Sequence, residues 1–137
     1  MTGDASLLAR EASSLVSRLR LFTPARWAAV VDPYGTRGDL VHHLAAWLAD
    51  AAGGAPVPLP RLDSDLALPD QLAVTADDLV RADPPPERAR AATAHLLLHR
   101  RELLGDEVPA GLLAELGAPD ELALLRAARA ACPVLAP

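Results

Sequence analysis

Residues Ala92 to Glu102 read ATAHLLLHRRE. Ala, Leu and Arg are strong helix formers, so the stretch reads as part of a long helix. His95 and His99 stand four residues apart, which puts both imidazoles on one face, a turn apart. Rings so placed can share a ligand. The chain's other two histidines lie upstream in Asp39 to Leu44, DLVHHL. A pair on one helix with a third imidazole on a neighbouring helix is a candidate metal site. The competing reading is plain: an isolated helical histidine is usually a surface or hydrogen-bonded residue.

The rest of the chain supplies the neighbours. Its 137 residues suit one domain with a single core, and hydrophobic residues make up 51%. Aromatics are only 3%, so the core must be Leu, Ala and Val, which favours packed helices over a sheet. Net charge is −5 and every basic residue is Arg. An acidic balance argues against nucleic acid or an anionic membrane as partner. No apolar run approaches the ~18 residues of a membrane span, and no basic, apolar leader precedes or follows Asp4. The expectation is a cytoplasmic protein. A single cysteine, Cys132, excludes an internal disulfide and a multi-thiolate zinc site, and reads as an apolar filler near the end.

Helical spacing runs from Ser6 to Leu21, with Leu8, Ala12, Leu15, Val16 and Leu19 on one side. Thr23-Pro24 is a helix-start signal, followed by a short turn through Trp27 to Val31, and Asp32-Pro33-Tyr34-Gly35 is turn chemistry. Thr36 with Asp39 makes a capping box for the second long helix. Leu40, His43, Leu44, Trp47 and Leu48 share its apolar face, whereas His42 lies about 100° away, toward solvent. Gly53-Gly54 ends that helix. Ala55 to Leu68, with Pro56, Pro58 and Pro60, is an irregular connection long enough to wall a site.

Pro69 opens a third long helix running to about Ala82. Asp83-Pro84-Pro85-Pro86 stops it and starts a fourth, Glu87 to Leu104, with Gly105 as its stop. So short a link makes these two helices antiparallel neighbours. Pro109 to Leu116 and Pro119 to Ala131 read as two shorter helices. No strand pattern or repeat is evident. The expected architecture is an all-α single domain over residues 1–137: a four-helix bundle from about 5 to 105 with an appended C-terminal helical segment from about 109 to 131. Dimerisation through the Ala-rich last helix is a further expectation.

On this reading His43, His95 and His99 are the metal-ligand candidates. Three protein ligands leave an open position for water or a thiolate. Glu102 continues the His95–His99 stripe and is either a proton carrier and second-layer acceptor or a solvated carboxylate beside Arg100 and Arg101. Trp27 and Trp47 read as core anchors, and Arg100-Arg101 as a solvated face.

Three stretches in order resemble the DinB-like superfamily, most closely the N-terminal domain of mycothiol-dependent maleylpyruvate isomerases. Leu21 to Trp27 (LFTPARW) resembles the family's LTPxxW. Gly38 to Ala45 (GDLVHHLA) resembles RDVVxHLA, which aligns His43 with the metal-binding histidine. Ala94 to Leu103 (AHLLLHRREL) resembles xELxxHRWDL. The resemblance implies a four-helix bundle holding a divalent ion (zinc first, nickel or iron as alternatives) through His43, His95 and His99. It also implies a metal- and thiol-dependent transferase or isomerase that joins a low-molecular-weight thiol such as mycothiol to a small electrophile. His95 stands where the isomerase branch has Glu, and the HxxxH seen here is that of the wider superfamily. Gly35 and Gly38 replace a Trp and an Arg of the pattern, as they would in a non-catalytic helical binding or regulatory module that kept the bundle.

Overall fold

The computed structural model describes residues 3–53 and 58–131, with side chains to residue 128. Cys132, Gly54 and Pro56 lie outside the described residues. The protein is mostly helical: α1 (Gly3–Leu19), α2 (Pro24–Ala28), α3 (Arg37–Ala51), α4 (Leu68–Arg81), α5 (Pro86–Leu104), α6 (Ala110–Glu115) and α7 (Glu121–Ala131).

Local chemistry sets the ends of these helices. The Thr36 hydroxyl accepts from Asp39 N at 3.1 Å and Asp39 Oδ2 accepts from Thr36 N at 2.9 Å, so the capping box closes as the residue types require. Thr23 Oγ1 accepts from Arg26 N, making α2 a true helical turn that seats Trp27 in the core, 1% exposed. Helix α1 stops at Leu19, two residues short of its apolar pattern, because the chain turns there to bring Phe22 back against Trp27, ring centroids 4.9 Å apart. Gly105 and Gly117 end α5 and α6 at positive φ, 73° and 71°, where a side chain is disfavoured.

Two features of the topology depart from the sequence expectation. Val30–Val31 (β1) pairs antiparallel with Gly35–Thr36 (β2), a strand pairing too short to show periodicity. Its turn folds Tyr34 into the core. The second concerns helix order. Helices α1, α4, α3 and α5 form a ring in which each packs on the next, so α4 and α5 face each other across the core and are not packed neighbours. Asp83 turns at φ +50 and Pro85 is extended at φ −57, ψ 152. Four such residues reach roughly 12 Å, close to the diagonal of a ring whose sides are roughly 8–10 Å.

The main core is aliphatic, built on Leu8, Leu15, Leu40, Leu44, Leu48, Leu72, Leu79 and Leu96, with Phe22, Trp27 and Tyr34 at one end. A second cluster joins Ala94, Leu97 and Leu98 of α5 to Leu124 and Ala128 of α7 and to Val108. Helix α5 is therefore covered on both sides, and every residue from Ala92 to His99 is buried. A helix apolar all round belongs in such a place. Thr93, fully buried, satisfies its hydroxyl by bonding Ala89 O at 3.0 Å. Leu96→Ala is expected to lower the unfolding free energy by about 2–5 kcal/mol in urea denaturation, as buried Leu truncations do.

The connection from Pro58 to Ala67 is strapped down by side chains. His42 Nε2 donates to Leu59 O and Gln71 Nε2 to Pro60 O, both at 2.9 Å. Arg61 bonds Asp65 at 2.8 Å and Asp39 at 3.3 Å. His42 is thus half-buried and committed to the strap, where helical phase alone turns it to solvent. These bonds explain both glycines. A Cβ on Gly38 would lie 2.6 Å from Asp65 Oδ1 and 2.8 Å from an Arg61 nitrogen, and one on Gly35, at φ +105, would meet the Asp39 carboxylate of the capping box. Gly35→Ala, forced to hold φ +105 against the Asp39 carboxylate, is expected to destabilise the protein by about 1–3 kcal/mol in thermal denaturation, whereas Gly38→Ala only pushes aside the ends of the Asp65 and Arg61 side chains and is expected to cost less.

Candidate functional site

Helix α3 contributes His43 and α5 contributes His95 and His99 to one buried cluster; they are 7%, 0% and 0% exposed. The His43 and His99 rings lie 5.8 Å apart by centroid and near parallel at 15°, and His95 and His99 lie 6.3 Å apart at 20°. Four residues along one helix set the second spacing, and packing of α3 on α5 sets the first.

Aromatic rings enclose the imidazoles. Tyr34 lies 5.3 Å from His43 and 5.6 Å from His99, while Trp47 stacks on His95 at 4.0 Å and 21°. The chain has two Trp, one Tyr and one Phe, so half its aromatic residues abut these histidines. The sequence marks Tyr34 only as part of a turn and Trp47 as a core anchor, with neither shown to meet an imidazole. The signal for Tyr34 was its being the one tyrosine of an aromatic-poor chain, set in a turn directly before the capping box.

Hydrogen bonding distinguishes the three rings. His99 Nδ1 donates to His95 O at 2.8 Å, an arrangement that leaves the lone pair on Nε2 when the ring is neutral. His95 has neither ring nitrogen bonded to a protein group, although both are shielded from solvent. Leaving such groups unsatisfied costs roughly 1–3 kcal/mol each, so the arrangement asks for a partner. Burial, reinforced by the nearby His43, pulls the His95 pKa down to about 4. Burial and the adjacent His42 also lower that of His43. Both imidazoles are thus held in the uncharged form that metal ligation needs.

Glu102 follows His95 by seven residues and so returns to its side of α5; it is half-buried, with Oε2 shut off from solvent. Arg100 is not on a solvated face. It is largely covered, bonded to Asp106 at 3.1 Å and to Ser14 at 2.9 Å, and it ties α1 to the segment after α5. Arg101 is exposed and pairs with Glu121.

The donor types fit a divalent ion of the zinc class: neutral imidazoles, one orphaned, in a water-poor pocket. As placed, however, no three His, Cys, Asp or Glu side chains among the described residues are arranged to hold an ion. Comparison with protein-family models, with curated proteins and with solved structures finds no match. No helix among the described residues is long and apolar enough to cross a membrane.

Proposed function

We propose that the protein is a metal-dependent enzyme built on a DinB-like four-helix bundle, with His43, His95 and His99 holding one divalent ion. The observation that carries this reading is His95: a fully buried imidazole without a protein partner on either nitrogen, about 6 Å from a second ring whose tautomer a backbone bond fixes. Imidazole centroids around a shared zinc lie roughly 5–6.5 Å apart, given ligand bonds near 2.0–2.1 Å. The His43–His99 and His95–His99 spacings, 5.8 and 6.3 Å, fall in that range and support the reading.

When bound, such an ion lowers the pKa of a coordinated thiol or water and so supplies a nucleophile at neutral pH. The protein's own residues do the rest. Tyr34 and Trp47 keep solvent off the imidazoles, His95 O fixes the orientation of His99, and Glu102 holds or carries a proton on the same side of α5. The substrates in this reading are a low-molecular-weight thiol such as mycothiol and a small electrophile. A cobalt-substituted sample tests it: adding N-acetylcysteine as thiol probe produces a sulfur-to-cobalt charge-transfer band in the wild type and none in His99→Ala. A spectrum unchanged by the thiol contradicts thiol ligation.

The near-parallel stacking of the rings favours a second reading, a non-catalytic helical module in which the imidazoles serve as aromatic core. The glycines at 35 and 38 do not favour it, because each has a local steric reason. On that reading zinc leaves the melting temperature unchanged and His43→Ala is only a packing loss.

A further inference from the structure

The three most exposed large apolar side chains among the described residues, Leu21 (74%), Val30 (73%) and Leu66 (70%), gather at the Phe22–Trp27 end of the bundle. Leu21 stands between Arg20 and Phe22, which with Leu19, Trp27, Leu66 and Pro69 line a pocket of about 230 Å³. Val30 follows Ala29, whose carbonyl accepts from Arg37 N at 2.9 Å. Two guanidinium groups share the Phe22 ring. Arg26 lies over it at 4.1 Å and Arg37 at 6.0 Å, and Arg37 also donates to Arg26 O at 3.4 Å. Most described arginines pair with a carboxylate, as expected in a chain with 18 acidic residues and a net charge of −5. Among the described residues Arg26 and Arg37 have no carboxylate within ion-pairing distance, and Arg37 Nε is shielded from solvent without a partner.

We infer that this end of the bundle docks a short acidic segment of another protein, with one apolar side chain in the pocket beside Leu66 and carboxylates on Arg26 and Arg37. The pocket is smaller than the roughly 300 Å³ at which small-molecule sites begin, so it fits one side chain and not a whole ligand. Apolar side chains gathered around it leave water only when another surface covers them. Arginine stacked on an aromatic ring is the chemistry of interface hot spots, and its planar fork matches a carboxylate. A long polyanion such as nucleic acid would also meet the chain's overall negative charge, whereas a short segment meets only these two cations. The surface goes beyond the metal reading and uses none of the imidazoles.

Selection of random heptapeptides displayed on phage against the full chain tests it. The enriched peptides are expected to combine a Leu or aromatic residue with two or more Asp or Glu. The best of them, made with a fluorophore, is expected to bind in solution by anisotropy and to weaken as salt is raised. Arg26→Glu is expected to weaken it at least tenfold, and exchanging one peptide carboxylate for Lys to recover part of that loss. The substitution keeps the fold, because it sets Glu three residues after the Thr23 cap, where a capping box favours it. Leu66→Ser, at an exposed position, is expected to weaken the peptide several-fold with an unchanged melting temperature. No enrichment, an enriched set that is not acidic, or equal binding by both variants would overturn the inference. Self-association in light scattering that Arg26→Glu abolishes would assign the surface to a second copy and overturn it as well.

Discussion

Metal-free protein is expected to lose about 3 kcal/mol of stability between pH 7 and pH 4 through His95 alone. Its pKa is about 4 in the folded protein, against 6.5 for an unperturbed histidine. As pH falls through 6.5 the unfolded chain takes up a proton that the folded chain refuses, so stability declines from there to about pH 4 and then levels. Above 6.5 both states are neutral and the contribution is constant. The lowered pKa of His43 adds in the same direction. The depressed pKa of Asp39, caused first by its backbone bond to Thr36, removes further stability only below the ordinary carboxylate range. Urea denaturation at pH 7, 5.5 and 4 separates these windows. In His95→Phe, which keeps a flat ring against Trp47, the decline between 6.5 and 4 should shrink to what His43 supplies. An equal decline in that variant would mean that His95 is not a buried neutral imidazole.

Zinc is expected to reverse this weakness. A ligand that binds only the folded state stabilises it by about 2.7 kcal/mol at a free concentration 100 times its Kd. For a chain of this size that is a rise in melting temperature of roughly 8–15 °C. Protons compete for the same imidazoles, so the rise should fade as pH is lowered from 7 to 5. His42→Ala should retain it, because His42 is committed to Leu59 O outside the cluster. His43→Ala and His99→Ala should lose it. A shift of the same size in all three variants would place the ion elsewhere.

What the sequence disclosed and what it withheld divide along a physical line. The capping box at Thr36, the stops at Gly53 and Gly105 and the proline start of α5 act over a few residues, and local chemistry made them legible. The apolar phase of α3 likewise separated His43 from His42, because one turn of helix decides which face a residue takes. The diagonal placement of α4 and α5 was not legible: loop length bounds a span without choosing which neighbour a helix packs on. Nor were the contacts of Tyr34 and Trp47 with the imidazoles, which depend on how α3 and the β1–β2 turn meet α5. Glycines 35 and 38 look like lost functional residues in the chain alone. The reason for Gly35 is its positive φ and the Asp39 carboxylate of the capping box, and that for Gly38 is Arg61 and Asp65, more than twenty residues away.

If three imidazoles from two helices hold one ion, its stoichiometry must follow those side chains. Elemental analysis by plasma mass spectrometry of protein prepared without chelator and reconstituted with zinc tests it most directly. About one ion per chain is expected in the wild type and in His42→Ala, and near none in His99→Ala with its fold intact by circular dichroism. A wild type that holds no stoichiometric metal after reconstitution, or a His99→Ala variant that holds as much as the wild type, would contradict it.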